Sequence, residues 1–565
     1  MRRIGAPSSN LPIALSLFLK HRVIFSALFL EKSARSVFHS RLHMSSSPLP
    51  LIPQPRSAQR LDGPAFNLTA DTVIIAPSEL HSAAQRLAVR IETATNWKLR
   101  VVDSSEATNR IEFQLTEATL ENNEAYTLKV TADRVTITAS HSSGAFYGVQ
   151  SLFQLFPAAI YDAQPRPDLE WTATAAEIED APRFRWRGVM LDSSRYYQPV
   201  CALKKYIDVL SQHKINVFHW HLVDDQGWRL EIKKYPKLTE IGSKRAETIR
   251  GHGNNKLEGD GQPIDGFYTQ DDVRDLVAYA AERHVHILPE IEMPGHAQAA
   301  VAAYPELGLL DEAKPVSCIW GIHETLFNTK PATFDFLKDV LDEVITLFPF
   351  EYLHIGGDEA IKPQWENDPD TQAQIKELGL KDEHELQSWF IREIETFLQT
   401  KNRKLVGWDE ILEGGLAPGA TVMSWRGIEG GIEAAQQGND AIMCANPYLY
   451  FDYSHTETGT NEPLAIRHNL SLEKAHSYEP IPKELNDEQA KHIIGVQSQL
   501  WTEYIATPSR LEYMSFPRIC ASAEVAWSPR ERPDFPHFLN RLCPHLRRLD
   551  VQDVRYRAPL EYVKV

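Results

Sequence analysis

Residues 203–225 read LKKYIDVLSQHKINVFHWHLVDD, and the period of the chain changes midway. Leu203, Tyr206, Ile207 and Leu210 recur at i, i+3, i+4 and i+7, the apolar stripe of an amphipathic helix. From Asn216 to Val223 the run is β-rich and continuous, and it ends in Asp224-Asp225. A helix feeding a buried strand with a polar far end is the repeating unit of a parallel α/β sheet. The unit recurs on both sides. Candidate strands are Phe184–Asp192, Asn216–Val223, His284–Glu292, Tyr352–Gly356, Lys404–Trp408, Thr421–Trp425, Asp440–Cys444 and Ile493–Trp501. The stripes Val273, Leu276, Val277, Ala280 and Leu337, Val340, Leu341, Val344 mark two more crossover helices, while the helices after the fifth and sixth strands look short or missing. Eight such strands over roughly 320 residues predict an α/β fold, a (β/α)₈ TIM barrel. A doubly wound open sheet is the alternative, but Gly251 and Gly253 lack a third glycine and follow no strand, so its fingerprint is absent.

The barrel leaves room on either side. Residues 50–181 mix a strand Thr72–Ala76, a helical stretch His81–Thr95, a strand Ile111–Thr116 and a hairpin in which Tyr126–Val130 and Val135–Thr138 alternate across an Ala-Asp-Arg turn. This predicts a small α+β accessory domain with no reactive constellation. The expected division is therefore 50–181 for that domain, 182–530 for the catalytic barrel and 531–565 for a C-terminal helical tail packed on it. Residues 1–49 carry seven basic residues against Glu31 alone, with apolar patches Leu11–Leu19 and Val23–Leu30 split by Lys20-His21-Arg22. An atypical secretion signal, a transit peptide and a misassigned start upstream of Met44 all fit, and none belongs to the fold.

Composition excludes several classes. The 565 residues are 43% hydrophobic and 24% charged, which is a globular balance rather than a fibrous or disordered one. Fifty-nine basic against 76 acidic residues give a net charge of −17 with no basic patch past residue 50, so no nucleic-acid partner is expected. Five scattered cysteines suggest neither a disulfide framework nor a zinc cluster.

In a barrel the chemistry sits at the C-terminal strand ends. Here they hold Asp192-Ser-Ser-Arg195, His219-Trp-His-Leu-Val-Asp-Asp225, Pro289-Glu-Ile-Glu292-Met-Pro-Gly-His296 and His354-Ile-Gly-Gly-Asp358-Glu359. The later ends are Gly407-Trp408-Asp-Glu410, Met423-Ser-Trp425-Arg426, Tyr448-Leu-Tyr450-Phe-Asp452 and Leu500-Trp501-Thr-Glu503. Two adjacent acids on a strand point to opposite faces, so Asp358 and Glu359 serve one substrate only if Gly356 and Gly357 take the chain out of the strand. Crowded together, two carboxyls divide into a proton donor and an ionised partner, the pattern of acid/base hydrolysis. An isolated Asp-Glu is commonly a helix cap; this context favours catalysis. Trp408, Trp425 and Trp501 on one barrel face can wall a pocket with flat apolar surfaces, with Arg195, Asp452 and Glu503 placed to hold hydroxyls.

These motifs resemble glycoside hydrolase family 20, the β-N-acetylhexosaminidases, in the expected order from about residue 60 to 530. The resemblance implies an exo-acting, retaining enzyme without cofactor or metal that removes terminal β-linked GlcNAc or GalNAc from an oligosaccharide or glycoconjugate. In that mechanism the substrate's own acetamido oxygen attacks the anomeric carbon. Carried over by position, Glu359 is the acid/base, Asp358 orients the acetamido N–H and Tyr450 bonds its oxygen. Trp408, Trp425 and Trp501 enclose the methyl and sugar face, and Arg195, Asp452 and Glu503 bind hydroxyls. Asp192, Asp225, Glu292, His296 and His354 are expected as supporting residues, with Asp192, Asp224, Asp225 and Glu292 pairing with Arg195 or the histidines. Glu292 is a departure: the family usually shows Asp there. The resemblance also favours export, and apolar barrel helices allow a homodimer. The segments 226–270 and 453–490 are the expected rim loops.

Two rivals stand against this. A metal-dependent barrel hydrolase draws on His219-x-His221, but this pair follows the second strand and the later strand ends offer no further histidine set. A carbohydrate-binding protein without turnover would keep the tryptophans but has no need of Asp358-Glu359.

Overall fold

The computed structural model describes residues 48–116, 122–249, 251, 258–310, 314–457 and 462–562; of the stretch 1–49, read as a leader or a misassigned start outside the fold, residues 1–47 lie outside the described residues, while Leu49 is buried in the core of the N-terminal domain. Eight parallel strands close into a barrel: β1 (Trp186–Asp192), β2 (Val217–His221), β3 (His286–Glu290), β4 (Tyr352–His354), β5 (Lys404–Trp408), β6 (Thr421–Ser424), β7 (Ala441–Met443) and β8 (Ile493–Ser498). All eight candidate strands are present, and β5 has the expected bounds. The others are shorter: the first begins two residues late but keeps Asp192, while the rest stop short at their C-terminal ends, where the chain leaves the hydrogen-bond ladder for loops. β2, for example, stops at His221, and Val223–Asp224 pairs instead with Gly227–Trp228.

The crossover helices bury the stripes that predicted them. Leu203, Tyr206, Ile207 and Leu210 of Val200–Gln212 are buried, as are Leu337, Val340, Leu341 and Val344 of Pro331–Leu347. After β5 the crossover is reduced to a 3₁₀ turn, Asp409–Leu412, and after β6 to the nine-residue helix Glu429–Gln437. Trp408 ends β5 and Trp425 directly follows β6, at the start of these two short crossovers.

Ahead of the barrel, seven strands form a mixed sheet with its own core, backed by helices His81–Thr95 and Ser142–Leu155. The predicted helix and hairpin are found; Ser142–Leu155, almost wholly buried, has no amphipathic pattern to announce it. This sheet is tied to the barrel by buried charge. Lys214 Nζ donates to Asp180 Oδ2 (2.7 Å) and to Tyr126 Oη (2.8 Å), while Trp527 Nε1 donates to Asp180 Oδ1 (2.9 Å). Arg187 clasps Glu124 with both terminal guanidinium nitrogens (2.7 and 2.9 Å). The helix Phe535–Val551 sets Phe538, Leu542, Leu546 and Leu549 into the barrel's core cluster. Cys444, Cys520 and Cys543 are buried free thiols, while Cys201 is exposed and Cys318 half-buried.

Candidate active site

β4 ends after three residues, and the turn that follows decides the site. Gly356 N–H donates to His354 Nδ1 (3.0 Å), and Gly356 (φ +69°), Gly357 (φ +90°) and Glu359 (φ +46°) all take left-handed backbone. Glycine makes two of these three cheap; Glu359 itself bears strain, which persists only where surrounding structure imposes it. The result is that Asp358 Oδ2 and Glu359 Oε2 both reach the same atom, His296 Nε2, each at 3.5 Å.

Behind His296 lies a buried polar network. Its Nδ1 faces Asp224 Oδ1 (3.1 Å) and Asp225 Oδ2 (3.2 Å). Burial lowers the imidazole's pKa, but Asp224 and Asp358 outweigh it and hold His296 well above its usual range, which favours the imidazolium. Asp224 likewise overcomes burial: Arg195, 2.7 Å away, and His296 keep it well below the carboxylate range. Asp192 accepts from Arg195 Nη1 (3.2 Å), and its other oxygen takes the backbone of Ser194 and Arg195. A second hub is Glu290. Its Oε2 meets His221 Nδ1 (2.5 Å) and His219 Nε2 (3.1 Å), and its Oε1 accepts from Trp408 Nε1 (2.8 Å). Burial opposes ionisation, yet His354, His221 and His219 keep Glu290 well below its ordinary value.

In front of the network opens a cavity of about 290 Å³. Asp358, Glu359 and Tyr450 line it, with Arg195, Asp452 and Glu503, and so do all three tryptophans. Trp408 and Trp501 sit 5.9 Å apart at 46°, and Trp425 stacks on Tyr450 at 6.1 Å and 25°. Arg195 lies 5.1 Å over the Trp501 ring. Both oxygens of Asp452 and Oε2 of Glu503 are buried without a hydrogen-bond partner. Burial and the charge of Glu503 push Asp452 well above the carboxylate range, and burial raises Glu503 despite Arg195. Acids so placed suit a ligand that brings hydroxyl donors. Burial also lifts the Tyr450 phenol well above its usual range, so it stays a hydrogen-bond donor.

Nine sequence-predicted side chains thus share one cavity, joined by His296 and Asp224 from among the expected supports; Asp192, Asp225, Glu292 and His354 stand behind its wall. Glu292 makes the loosest contact of the expected pairings, 3.8 Å to His221 Nδ1, with no hydrogen bond. His219 and His221 turn toward Glu290 rather than the cavity, so an ion held by them would sit behind the site. Sequence reasoning did not single out Glu290 or Glu410, whose Oε2 accepts from Trp425 Nε1 (2.9 Å). Burial and the charge of Asp358 raise Glu410 to about 8. Both lie in motifs already quoted, Glu290 two residues from Glu292 and Glu410 two residues from Trp408. Of the two expected rim loops, 453–490 supplies Tyr453, Ile466 and His468; none of the described residues of 226–270 lines the cavity, and Gly321 and Ile322 close that side instead. A larger groove of about 850 Å³ between helices His81–Thr95 and Val200–Gln212 lies away from the strand ends and holds no such convergence.

Residues 184–530 match the glycosyl hydrolase family 20 catalytic domain, and residues 49–181 match domain 2 of that family. A β-hexosaminidase of Porphyromonas gingivalis is 42% identical over 513 residues, 90% of this chain, and this chain spans 64% of its length. A β-hexosaminidase of Vibrio furnissii is 35% identical over 84% of this chain and 76% of its own. Among solved structures, a GH20 exo-β-N-acetylglucosaminidase from Vibrio harveyi in complex with N-acetylglucosamine superposes with a TM-score of 0.80 at 34% identity, covering 92% of this chain and 80% of that one. A β-N-acetylhexosaminidase from Streptomyces coelicolor superposes with a TM-score of 0.78 at 30% identity, over 91% of this chain and 98% of its own. With its barrel, its paired acids and more than half its length matched, the chain belongs to glycosyl hydrolase family 20.

Proposed function

We propose that this chain is an exo-acting, retaining β-N-acetylhexosaminidase that releases terminal β-linked GlcNAc or GalNAc. The observation that carries the reading is the convergence of Asp358 and Glu359 on His296 inside a tryptophan-walled cavity. An oxygen of each acid and a nitrogen of the imidazole lie within 4.8 Å of one another, close enough to act on one bound sugar. Glu359 delivers a proton to the departing glycosidic oxygen while the acetamido oxygen attacks the anomeric carbon, and it later takes a proton from the incoming water. Asp358 accepts from the acetamido N–H and stabilises the positive charge of the oxazolinium-type intermediate. Tyr450 donates to the acetamido oxygen, with Trp408, Trp425 and Trp501 around the methyl. The unpartnered acids Asp452 and Glu503, together with Arg195, receive hydroxyls and close the non-reducing end, which supports exo-cleavage. Two core clusters, which exchange only Ile52 and Trp527 across the boundary, support the division into 50–181 and 182–530, with 531–565 as a tail that packs into the barrel's core.

The test is hydrolysis of aryl β-GlcNAc, aryl β-GalNAc and aryl β-glucoside by wild type, Glu359→Gln and Asp358→Asn. Both variants are expected to lose about 10²-fold or more in kcat, with glucoside uncleaved, since the glucoside lacks the internal nucleophile. Comparable glucoside cleavage by wild type sinks the reading, and the GalNAc/GlcNAc ratio reports how the hydroxyl contacts discriminate the epimers.

A further inference from the structure

Glu292 stands behind the cavity wall, and the proposed mechanism gives it no work. It follows β3 by two residues, is 2% exposed, and has both carboxyl oxygens buried with no hydrogen-bond partner. Its neighbour His221, 3.8 Å away, is already engaged by Glu290 (2.5 Å) and Asp224 (3.0 Å). The carboxyl is pressed onto the turn that carries Asp358: a Cβ on Gly356 would stand 1.7 Å from Glu292 Oε2. That is where the methylene beyond aspartate goes. A buried carboxylate without a donor is strongly disfavoured, whereas a carboxylic acid brings a donor of its own. Asp358 has the complementary deficit, since its Oδ1 is buried and unpartnered while Oδ2 faces His296.

The surrounding charges favour the neutral form. Facing Glu292 are His221 from β2, Asp224 from the loop beyond it, Glu290 from β3, His296 from the loop after β3 and Asp358 from the turn after β4. Three of these five are carboxyls, and both imidazoles are bonded to other acids. Burial, then the charges of Asp358 and Glu290, push Glu292 well above the carboxylate range against the opposing pull of His296.

We propose that Glu292 stands as a neutral acid and donates its O–H to Asp358 Oδ1, which makes it a positioning residue for Asp358. The bond fixes the Asp358 rotamer and leaves the remainder of that carboxylate to accept the substrate's amide N–H. This role rests on the function proposed above.

Two readouts test it. In the infrared difference spectrum of wild type minus Glu292→Gln at neutral pH, the carbonyl stretch of a protonated carboxylic acid is expected; carboxylate bands in its place overturn the proposal. In aryl β-GlcNAc hydrolysis, Glu292→Gln keeps a donor and is expected within about threefold of wild-type kcat, while Glu292→Met, of similar length without a donor, falls about tenfold or more with KM moved less than about threefold. Wild-type kcat in Glu292→Met, or equal damage in both variants, overturns it. If Glu292→Met does not fold, the infrared readout decides alone. A wild type inert toward the aryl substrate defeats the proposed function instead, and leaves the infrared result standing.

Discussion

Arg195 shows how one residue joins the cavity to its supports. Its guanidinium meets Asp224 at 2.7 Å and Asp192 at 3.2 Å, donates through Nε to Gln226 Oε1 (2.7 Å), and covers the Trp501 ring. Planarity matters here, because one fork satisfies two acids and an amide while still facing ligand. Lysine carries the same charge but a single point of it. Arg195→Lys is therefore expected to raise KM for aryl β-GlcNAc by about tenfold or more, with a smaller change in kcat, since hydroxyl contacts act in ground and transition states alike. Unchanged KM in steady-state kinetics would contradict the hydroxyl-binding role. Asp192 and Asp224, left partly unpaired, are also expected to lower the melting temperature.

The element that matters most is the three-residue strand β4 with its left-handed turn. Gly356 is required twice, by its φ of +69° and by the Glu292 carboxyl that fills the space of a side chain. In Gly356→Ala the left-handed strain alone costs about 1–2 kcal/mol, and the methyl must displace Glu292 or the turn. Both outcomes move Asp358. The expected result is a lower melting temperature together with a fall of about tenfold or more in kcat, and a variant of wild-type kcat would show that the turn tolerates what its geometry forbids. This element was legible in the sequence because two glycines before two acids at a strand end admit few backbone solutions. Strand positions were legible too, from apolar runs that end in charge. Glu290 and Ile322 were not. Glu290 alternates with Glu292 on a strand that pattern alone cannot orient, and only the packed barrel brings three histidines and Trp408 around it. Ile322 lies in a loop between elements, and its place at the mouth depends on how residues 314–330 cross the barrel top, for which no periodicity exists.

At the scale of the molecule, buried ion pairs hold the barrel to what flanks it. Glu524, on the helix Arg518–Trp527, receives both terminal nitrogens of Arg541 (2.6 and 2.7 Å) from the helix Phe535–Val551 and the backbone N–H of Gln54 (3.1 Å) from the start of the accessory domain. Arg541 also reaches the carbonyl of Leu51 (2.8 Å). One carboxylate thus pins three parts of the chain. Burial works against its charge, but Arg541 and His476 prevail and lower Glu524 from 4.5 to about 2. Because the folded value lies below the unfolded one, the group's stabilisation is complete above about 4.5 and disappears as pH falls toward 2. A shift of this size corresponds to about 3 kcal/mol. Wild type is therefore expected to lose melting temperature steeply between pH 4.5 and 2. Glu524→Gln removes that titration but leaves Arg541 buried and uncompensated, a loss of about 3–5 kcal/mol at neutral pH. Its melting temperature should start lower and fall less steeply over the same acid range. Parallel slopes in wild type and variant, followed by thermal melts across that range, would place the acid sensitivity of the assembly in other carboxylates.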